Sequence, residues 1–364
     1  MPKIEATSPW SAAQAHDIVS ALLPWQRSHG RHDLPWQRTQ DPYRVWLSEV
    51  MLQQTQVATV KAYYAKFLAA CPDVQALARA STDEVMALWA GLGYYSRARN
   101  LHRCAQQVVS DWGGVFPAHA AGLQTLAGIG PSTAAAIASI CYGERVAILD
   151  GNVKRVVARC LAWHQDVGDS ASTQALQAAA NALAQAVPAA DDMPTLTQGL
   201  MDLGATVCKP RQADCQACPL VSLCEAHRQD KVMHYPIKRS RITRKSERWW
   251  LLLAQDQEGG WAVEQRPARG IWAALHAPPV FADQAQLAQQ CQRLGGEVEV
   301  LPMVKHVLTH RDLFLYPMVL RGVPTGRASG LTAEGPVKWL KPQALQALGL
   351  PAPIKKLWLP LLAS

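Results

Sequence analysis

Long apolar runs are missing from this sequence of 364 residues. No stretch approaches the roughly 18 uninterrupted apolar residues that a membrane-spanning helix needs, so we expect no membrane partner. The opening residues MPKIEATSPW also lack the charged-then-apolar pattern of an export signal. We therefore expect a soluble, cytoplasmic protein. Its length exceeds that of one average domain, which predicts two domains.

An acidic balance is missing as well, because 36 Lys and Arg face 28 Asp and Glu, a net charge of +8. The excess is concentrated at residues 228–248, where eight basic residues face two acidic ones, a local net charge of +6. Such a balance suits a polyanionic partner, since contacts with phosphates release counterions. A solvated linker explains the same segment equally well, so charge alone does not identify the partner.

A disulfide framework is not expected, although the sequence contains nine cysteines. Five lie apart in apolar helical patterns and are expected to be small core residues: Cys71, Cys104, Cys141, Cys160 and Cys291. The other four follow the spacing C-x6-C-x2-C-x5-C: Cys208, Cys215, Cys218 and Cys224. Four thiolates this close together predict a metal site, and the spacing alone permits either zinc or an iron–sulfur cluster.

The pattern of apolar residues differs between the two parts of the chain. Residues 10–227 carry apolar residues at helical intervals, and the capping box Ser81–Glu84 marks one helix start. After the basic stretch we predict a helix at 282–294 and strands at 249–253, 261–263, 297–301, 304–308, 313–320 and 337–340. The sequence therefore predicts a mostly α N-terminal domain at 1–227, a linker at 228–247 and an α+β domain at 248–364.

A glycine-rich segment, Leu123-Gln-Thr-Leu-Ala-Gly128-Ile-Gly130-Pro131-Ser132, predicts a tight turn that leads into a helix. Glycine adopts backbone angles forbidden to larger residues, and proline suits the first turn of a helix. Outward-facing N–H groups at such a helix start can hold a phosphate. The glycine pair alone is weak evidence for such a phosphate site. The Ala-rich segment and Asp150 that follow it strengthen this interpretation.

Two carboxylates stand out by their surroundings. Glu49 lies in the apolar segment Trp46-Leu-Ser-Glu49-Val-Met-Leu-Gln53-Gln54-Thr55, and Asp150 opens the segment Asp150-Gly-Asn-Val-Lys154-Arg155. Taken alone, Glu49 could be an exposed helix residue, although its apolar neighbours indicate burial. Asp150 could be only a helix cap, since Asp-Gly-Asn is good capping chemistry.

Together these motifs resemble the endonuclease III/MutY superfamily of DNA glycosylases. The glycine segment is similar to its helix-hairpin-helix, with Ala127 where proline is usual, and the cysteine loop to its 4Fe–4S loop. The resemblance implies one 4Fe–4S cluster on the four cysteines, with Lys209 and Arg211 presented to DNA; plain solvation is the alternative for those two side chains. Ser132 stands where the lyases carry a Schiff-base lysine, and serine cannot form an imine, which disfavours lyase activity.

Within the superfamily the sequence resembles the MutY family of adenine glycosylases. Removing adenine needs one carboxyl with a raised pKa that donates a proton and one ionised carboxylate beside an oxocarbenium-like sugar. The resemblance implies that Glu49 protonates adenine N7 and then helps to activate water, and that Asp150 is the nucleophile or the electrostatic partner. The substrate-binding residues that it implies are Trp36, Gln37, Gln198 and Ser132.

A base inside a duplex must be flipped out before it is cleaved. Gly91-Leu-Gly-Tyr94-Tyr95-Ser-Arg97 resembles the family's wedge segment, in which Tyr94 inserts beside the base opposite the adenine and Gln54 fills the vacated stack. A core aromatic at a helix end is the alternative for Tyr94. The DNA contacts implied are Gln53, Gln54, Thr55, Leu92, Tyr94, Gly128, Gly130, Lys209 and Arg211.

The C-terminal part resembles the MutT/Nudix-like domain that reads 8-oxoguanine in adenine glycosylases, at Gln265-Arg-Pro267 and Gly270-Ile-Trp272. A Nudix hydrolase needs an acid-rich, magnesium-binding helix, but the helix predicted at 282–294 contains Asp283 and no glutamate, so nucleotide hydrolysis is not expected. Leu308-Thr309-His310 stands where the family usually has Phe-Ser-His. Lesion recognition is expected there, with a plain core position as the alternative for Leu308.

The resemblance therefore implies a monomeric, monofunctional adenine glycosylase, cytoplasmic or nucleoid-associated in a bacterium, that acts on duplex DNA containing A·8-oxoguanine or A·G mispairs. The nearest alternative is an endonuclease III-like pyrimidine glycosylase/lyase, against which Ser132 and the C-terminal domain argue. A second alternative is a non-catalytic iron–sulfur DNA-binding protein, which Glu49 and Asp150 disfavour.

Overall fold

The computed structural model describes residues 8–239, 243–324, 337–346 and 348–362. The chain divides into two compact units, of which the first comprises Met1–Ala78 with Arg103–Ser240 and the second comprises Arg79–His102 with Arg241–Ser364. This division groups residues 79–102 with the C-terminal part, whereas the sequence patterns assign them to the helical domain. In the described part of the chain, no helix is long and apolar enough to cross a membrane.

Helices dominate the chain up to residue 239, as the apolar periodicity predicts. They are α1 (Ala12–His29), α2 (Pro42–Leu52), α3 (Val57–Ala70), α4 (Val74–Arg79), α5 (Thr82–Trp89), α6 (Ser96–Trp112), α7 (Ala120–Leu123), α8 (Pro131–Tyr142), α9 (Gly151–Cys160), α10 (Ser170–Gln185), α11 (Met193–Asp202) and α12 (Glu225–Arg228). A π-helical turn, Leu203–Val207, continues α11 towards the cysteine loop. The predicted capping box is present, because Ser81 accepts a hydrogen bond from the Glu84 N–H while Glu84 accepts one from the Ser81 N–H.

Two separate helices cover most of the segment from Tyr43 to Cys71. Helix α2 ends at Leu52 and α3 begins at Val57. Between them Gln54 adopts a φ of 58°, a left-handed conformation that non-glycine residues rarely take. Gln54 is exposed at this break. The chain thus turns sharply directly after the segment that carries Glu49.

The five scattered cysteines are mostly core residues, as predicted. Cys71, Cys104, Cys160 and Cys291 are buried, whereas Cys141 is only half-buried. The expectation of a core position is therefore wrong for Cys141, which lies at the penultimate position of α8, where the helix face turns towards solvent.

The second unit is built on a mixed sheet. Its strands are β1 (Lys245–Asp256), β2 (Trp261–Gln265), β3 (His276–Ala277), β4 (Val280–Phe281), β5 (Glu297–Val300), β6 (Val304–Val307), β7 (Arg311–Val323) and β8 (Lys338–Leu340). Strands β1 and β7 pair in parallel, with Leu251 beside Pro317, and the other described pairs are antiparallel. Helix α13 (Gln284–Leu294) packs Leu287 and Leu294 on the sheet core, and α14 (Pro342–Gln346) and α15 (Ala352–Leu362) follow β8.

Candidate active site

One cleft of the first unit gathers residues from separate parts of the sequence. It encloses roughly 1460 Å³, including its open mouth. The predicted site residues on its lining are Trp36, Glu49, Gln53, Gln54, Thr55, Ser132 and Asp150. Arg31 and Met201, which the sequence patterns do not single out, also line it. The α2 segment and the α9 start, about a hundred residues apart, thus present both predicted catalytic carboxylates to one space.

Glu49 lies near the end of α2 in apolar surroundings. Asp41 caps the start of this helix, and Trp46 and Val50 are buried next to Glu49. Burial raises the pKa of Glu49 to about 7, and the nearby negative charge of Asp150 contributes to the rise. The Glu49 carboxyl therefore holds a proton in a substantial fraction of molecules at neutral pH.

Asp150 is the cap of α9 and faces the same cleft. It accepts hydrogen bonds from the Asn152 N–H at 2.9 Å, the Val153 N–H at 2.7 Å and the Asn152 side-chain amide at 3.2 Å. The capping interpretation is therefore correct. It leaves room for a chemical role, because the amides at a helix start favour a negative charge. The two carboxyls thus occupy opposite settings, one apolar and one rich in N–H donors.

Arg155 links the start of α9 to the cysteine loop. Its guanidinium donates hydrogen bonds to Asn152 Oδ1 at 2.8 Å, to the Gly204 carbonyl at 2.6 Å and to the Cys208 carbonyl at 2.8 Å. Position 204 has no room for a side chain, since a Cβ there would lie 2.7 Å from the Asn152 Cβ. The sequence patterns assign no role to Asn152, Arg155 or Gly204, whose contacts join segments about fifty residues apart.

A third carboxylate, Asp202, contacts the amide of Gln37, one of the predicted substrate-binding residues. It is fully buried at the end of α11. It accepts hydrogen bonds from the Arg31 N–H at 2.9 Å, from Arg31 Nε at 2.7 Å and from Gln37 Nε2 at 3.3 Å. Gln37 Nε2 also donates to Gln198 Oε1 at 2.9 Å. The structure thus brings Gln37 and Gln198 together, although the lining of the cleft includes neither.

The glycine segment forms a turn before α8, but its two glycines differ. Gly128 has a φ of 77°, which favours glycine, as predicted. Gly130 caps α8 with a φ of −86°, so the expectation of a glycine-only conformation is wrong there; a following proline already favours extended backbone. The Ala127 N–H donates a hydrogen bond to Gln107 Oε1 at 2.8 Å. A proline at position 127 could not make this bond, which gives alanine a positive role in the turn.

The cysteine loop encloses a cavity of its own. Its lining includes Cys208, Cys215, Cys218 and Cys224, together with the helix residue Cys160. Arg159 is fully buried beside them and donates hydrogen bonds to Cys208 Sγ at 3.2 Å and to the Lys209 carbonyl at 2.9 Å. Across the described residues, no three His, Cys, Asp or Glu side chains are grouped tightly enough for a single metal ion.

Two predicted recognition segments meet within the second unit. The Tyr94 hydroxyl and Thr309 Oγ1 lie 3.1 Å apart, at hydrogen-bond distance. Tyr94 has a φ of 49° and is 45% exposed, which is not a core position. The Arg97 guanidinium stacks on the Tyr94 ring at 5.4 Å and on the Trp89 ring at 5.2 Å. These cation–π contacts stabilise the position of the Tyr94 ring.

The remaining predicted contacts differ in exposure. Leu92 is buried and Leu308 is half-buried, whereas His310, Lys209 and Arg211 are exposed. The Leu308 N–H donates to the Arg311 carbonyl at 2.8 Å, which closes the turn between β6 and β7. Thr309 and His310 therefore occupy the tip of a hairpin.

Comparisons with known families agree with the motifs. A model described as "HhH-GPD superfamily base excision DNA repair protein" matches residues 47–182, and a "NUDIX domain" model matches residues 249–359. The first match contains Glu49, the glycine turn and Asp150, and the second contains the mixed sheet. The predicted combination of a helix-hairpin-helix domain with a Nudix-like domain is thereby confirmed.

A solved structure described as a thermostable thymine-DNA glycosylase is similar to this chain at a TM-score of 0.53 and 26% identity, covering 60% of this chain and 98% of that one. An endonuclease III–DNA complex matches at a TM-score of 0.50 and 18% identity, which shows a shared fold.

Curated relatives extend the likeness beyond the helical part. The adenine DNA glycosylase of Homo sapiens is 44% identical over 223 residues, which cover 59% of this chain and 40% of that protein. The adenine DNA glycosylase of Buchnera aphidicola subsp. Baizongia pistaciae is 32% identical over 345 residues, which cover 93% of this chain and 95% of that protein. With both domains matched along nearly their whole length, the chain belongs to the MutY family of adenine DNA glycosylases, a family known for iron–sulfur clusters.

Proposed function

We propose that this chain is a monofunctional glycosylase that hydrolyses the N-glycosidic bond of adenine mispaired with 8-oxoguanine or guanine in duplex DNA. The observation that carries the proposal is the pair of carboxyls in one cleft. Glu49 has its pKa raised to about 7, while Asp150 accepts three hydrogen bonds at a helix start. Two carboxyls in such different settings can divide the roles of proton donor and anion.

Glu49 acts as the general acid. Its pKa of about 7 lets it hold a proton at neutral pH and still release it, which is the condition for efficient proton transfer. It protonates adenine N7, and the C1′–N9 bond then breaks with its electron pair moving to the base. A water molecule adds to C1′ and passes a proton to the Glu49 carboxylate. The products are adenine and an abasic sugar, and Glu49 regains its acid form.

Asp150 supplies the negative charge that the sugar needs as the bond breaks. An oxocarbenium-like transition state is stabilised by a fixed anion, and Asp150 is held in place by Asn152 and Val153. The same carboxylate can act as a nucleophile or as a counter-charge. Both roles need it ionised and immobile.

Ser132 and the rest of the described cleft lining support hydrolysis without strand cleavage. Ser132 lines the cleft, and no lysine is found on its described lining. The nearest candidate in sequence, Lys154, donates hydrogen bonds to the Val167 carbonyl at 3.2 Å and to Thr173 Oγ1 at 3.0 Å. An imine with the sugar requires an amine at C1′, and serine has no amine to form it.

Duplex DNA is the proposed partner, bound by a monomer. The turn at Gly128 and the start of α8 offer backbone N–H groups to a phosphate, and Lys209 and Arg211 are exposed for further phosphate contacts. Gln54 lines the cleft and has a left-handed backbone conformation directly after α2. A residue that fills a vacated base stack must be exposed in this way. Tyr94 is the proposed wedge.

Lesion recognition is proposed for the Tyr94–Thr309 pair with His310. The Tyr94 and Thr309 hydroxyls and the imidazole can donate to or accept from the edge of 8-oxoguanine, whereas Leu308 offers only an apolar contact. Nudix-type hydrolysis is not part of the proposal, because α13 is not the acid-rich helix that a Nudix hydrolase needs. Asp283, which caps α13 by accepting from the Gln286 N–H at 2.8 Å, is the one acid at this helix.

The four loop cysteines are the proposed ligands of one 4Fe–4S cluster. They fit such a group because all four line one cavity beside the buried Arg159. The cluster, when bound, supplies thiolate–iron bonds that hold the loop and with it Lys209 and Arg211. Iron and acid-labile sulfide content of the purified chain tests this assignment, and Cys215→Ser is expected to lose both.

Single-turnover cleavage of an A·8-oxoguanine duplex tests the proposed reaction. Wild type should release adenine and leave an uncleaved abasic strand, and Glu49→Gln and Asp150→Asn should each be strongly impaired. Undiminished cleavage by either variant would refute its assigned role. Efficient borohydride trapping and strand cleavage on a thymine-glycol duplex would instead favour the lyase alternative, and tight binding without turnover would favour the binding protein.

A further inference from the structure

We propose that Arg244 and Lys245 bind the phosphate backbone of duplex DNA beside the tip of the β6–β7 hairpin, residues 308–310. The inference rests on the proposed function, of which it uses the duplex DNA partner, and it adds phosphate contacts in the second unit. Its starting point is the basic stretch at 228–248, for which the sequence leaves a linker and a polyanion site equally open. The structure places the end of that stretch in a sheet, because β1 begins at Lys245.

Two hydrogen bonds hold the start of β1 against the hairpin tip. Arg244 Nε donates to the Leu308 carbonyl at 3.2 Å, and the Lys245 N–H donates to the His310 carbonyl at 3.0 Å. Arg244 and Lys245 are both exposed, and so is His310. The two cations therefore border the residues proposed to contact 8-oxoguanine.

The charges around the tip are only partly paired. Segments 243–248 and 304–312 have a net charge of +3, from five basic and two acidic residues: Arg244, Lys245, Arg248, Lys305 and Arg311 against Glu247 and Asp312. Glu247 pairs with Arg311, and Asp312 pairs with Lys305 at 2.9 Å. Among the described residues, no acidic side chain pairs with Arg244 or Lys245. Arg248 is unpaired too, but it lies further along β1, beside Phe314. The charges of Arg244 and Lys245 are thus available to an external anion at the tip.

A nucleic-acid backbone is the anion that this arrangement favours. A guanidinium carries five N–H donors in a planar fork, and within the described part of the chain Arg244 uses only Nε, for Leu308. The two Nη groups match the oxygens of a phosphate, and the exposed ammonium of Lys245 adds a point charge beside them. A base that is recognised at the tip brings its own phosphates to the neighbouring surface. The two cations therefore position the strand that carries the opposing base without recognising its sequence.

Salt-dependent binding tests the inference, since each phosphate contact contributes about 0.9 to the slope of log K against log [salt]. The probes are duplexes with a tetrahydrofuran abasic-site analogue opposite 8-oxoguanine or guanine, which contain no adenine to be released at that site. Arg244→Gln, Lys245→Gln and the double variant are compared with wild type. Lys341→Gln is the matched control, because Lys341 is also exposed and also donates to a backbone carbonyl, that of Glu258, in the turn after the other end of β1.

Each single substitution should lower the slope by about 0.9 and the affinity by about five- to tenfold at 0.1 M salt, equally for both duplexes. The double variant should lose about twice as much slope, whereas the charge-preserving exchange of Arg244→Lys with Lys245→Arg and the Lys341→Gln control should keep the wild-type slope. An unchanged slope in the double variant would overturn the inference. An affinity loss confined to the 8-oxoguanine duplex would overturn it as well, because that result would show a change in base recognition and not in phosphate binding.

Adenine release by the wild-type chain separates this inference from the proposed function. A wild type that releases no adenine from an A·8-oxoguanine duplex overturns the proposed function, and lowered slopes in the variants would still support the phosphate site. Normal adenine release together with unchanged slopes overturns the phosphate site alone.

Discussion

The cleft of the first unit and the Tyr94–Thr309 surface of the second unit use polar side chains in opposite ways. In the cleft, Glu49 is placed in apolar surroundings that raise its pKa to about 7, and Asp150 is fastened by three N–H donors. On the second-unit surface, Tyr94 is largely exposed and its partner is a neutral hydroxyl. Buried ionisable groups change reactivity, whereas exposed neutral groups change only how well a surface is recognised.

The two regions should therefore differ in the size of their mutational effects. Removing a general acid typically slows a reaction by about 10²–10⁴-fold. A neutral hydrogen bond contributes about 0.5–1.5 kcal/mol, which is roughly two- to twelvefold. Substitutions in the cleft should change the rate by orders of magnitude, and those at the surface should change preference among opposing bases by a small factor.

The largest effect is expected for Glu49→Gln. The single-turnover rate of adenine release should fall by about 10²–10⁴-fold, because glutamine cannot donate a proton in the same way. In wild type the rate should decline as pH rises above about 7, since the acid form of Glu49 is lost there. Glu225→Gln, which alters a surface pair with Arg228, is the control and should keep the wild-type rate and pH profile. A flat wild-type profile between pH 6 and 9 would contradict the role of Glu49.

A smaller effect is expected for Arg155→Gln. Loss of the guanidinium leaves the Gly204 and Cys208 carbonyls without their donor, which should lower the free energy of unfolding by about 2–4 kcal/mol. Because the same side chain holds Asn152, the rate should also fall by about tenfold.

Arg145→Gln is the matched control, since Arg145 also donates to backbone carbonyls, those of Gln185 and Val187. It should lose stability in urea unfolding but keep the rate and the iron content of wild type. Equal rate losses in both arginine variants would indicate that Arg155 acts only through general stability.

The raised pKa of Glu49 also predicts a pH-dependent cost in stability. The folded state binds this proton more tightly than the unfolded chain, whose pKa is near 4.5, so stability is lost as pH rises from about 4.5 through about 7. Glu49→Gln removes that loss. Its stability relative to wild type should increase by about 1–2 kcal/mol between pH 5 and pH 8, a value reduced for the solvent at the cleft mouth. Urea unfolding at the two pH values measures the change, and a constant difference would contradict the buried setting.

The smallest effect is expected at the Tyr94–Thr309 pair. Tyr94→Phe and Thr309→Val each remove one hydroxyl and keep the shape of the side chain. Each should lower the preference for A·8-oxoguanine over A·G by a few-fold, and the double variant should lose less than the product of the two, because they share one bond. Independent effects of the two substitutions would indicate that the hydroxyls contact DNA separately.

Local patterns in the sequence predict most of the cleft. Glu49 within an apolar segment, Asp150 before Gly-Asn and the turn at Gly128 each have a signal within ten residues, and the structure shows the apolar setting, the cap and the positive φ. These features depend on helix geometry and capping, which short stretches of sequence determine.

Contacts between distant segments leave no such signal. Asp202 meets Arg31 across 171 positions, and nothing in its own neighbourhood distinguishes it from a surface residue. The two-residue strands β3 and β4 are likewise too short for an alternating pattern to reveal. The conformation of Gly130 was expected to need glycine, but it depends on the proline that follows.

Gly204 shows how this structure changes the interpretation of inherited or laboratory variants. Position 204 lies outside the lining of the cleft, so a substitution by alanine looks conservative. A single methyl group there would nevertheless meet the Asn152 Cβ at 2.7 Å and the Asn152 carbonyl oxygen at 3.0 Å. The helix start that carries Asp150 would have to move away from the π-helical turn. Gly204→Ala, which adds one carbon atom to a buried turn, should therefore impair activity as substitutions of the catalytic residues do.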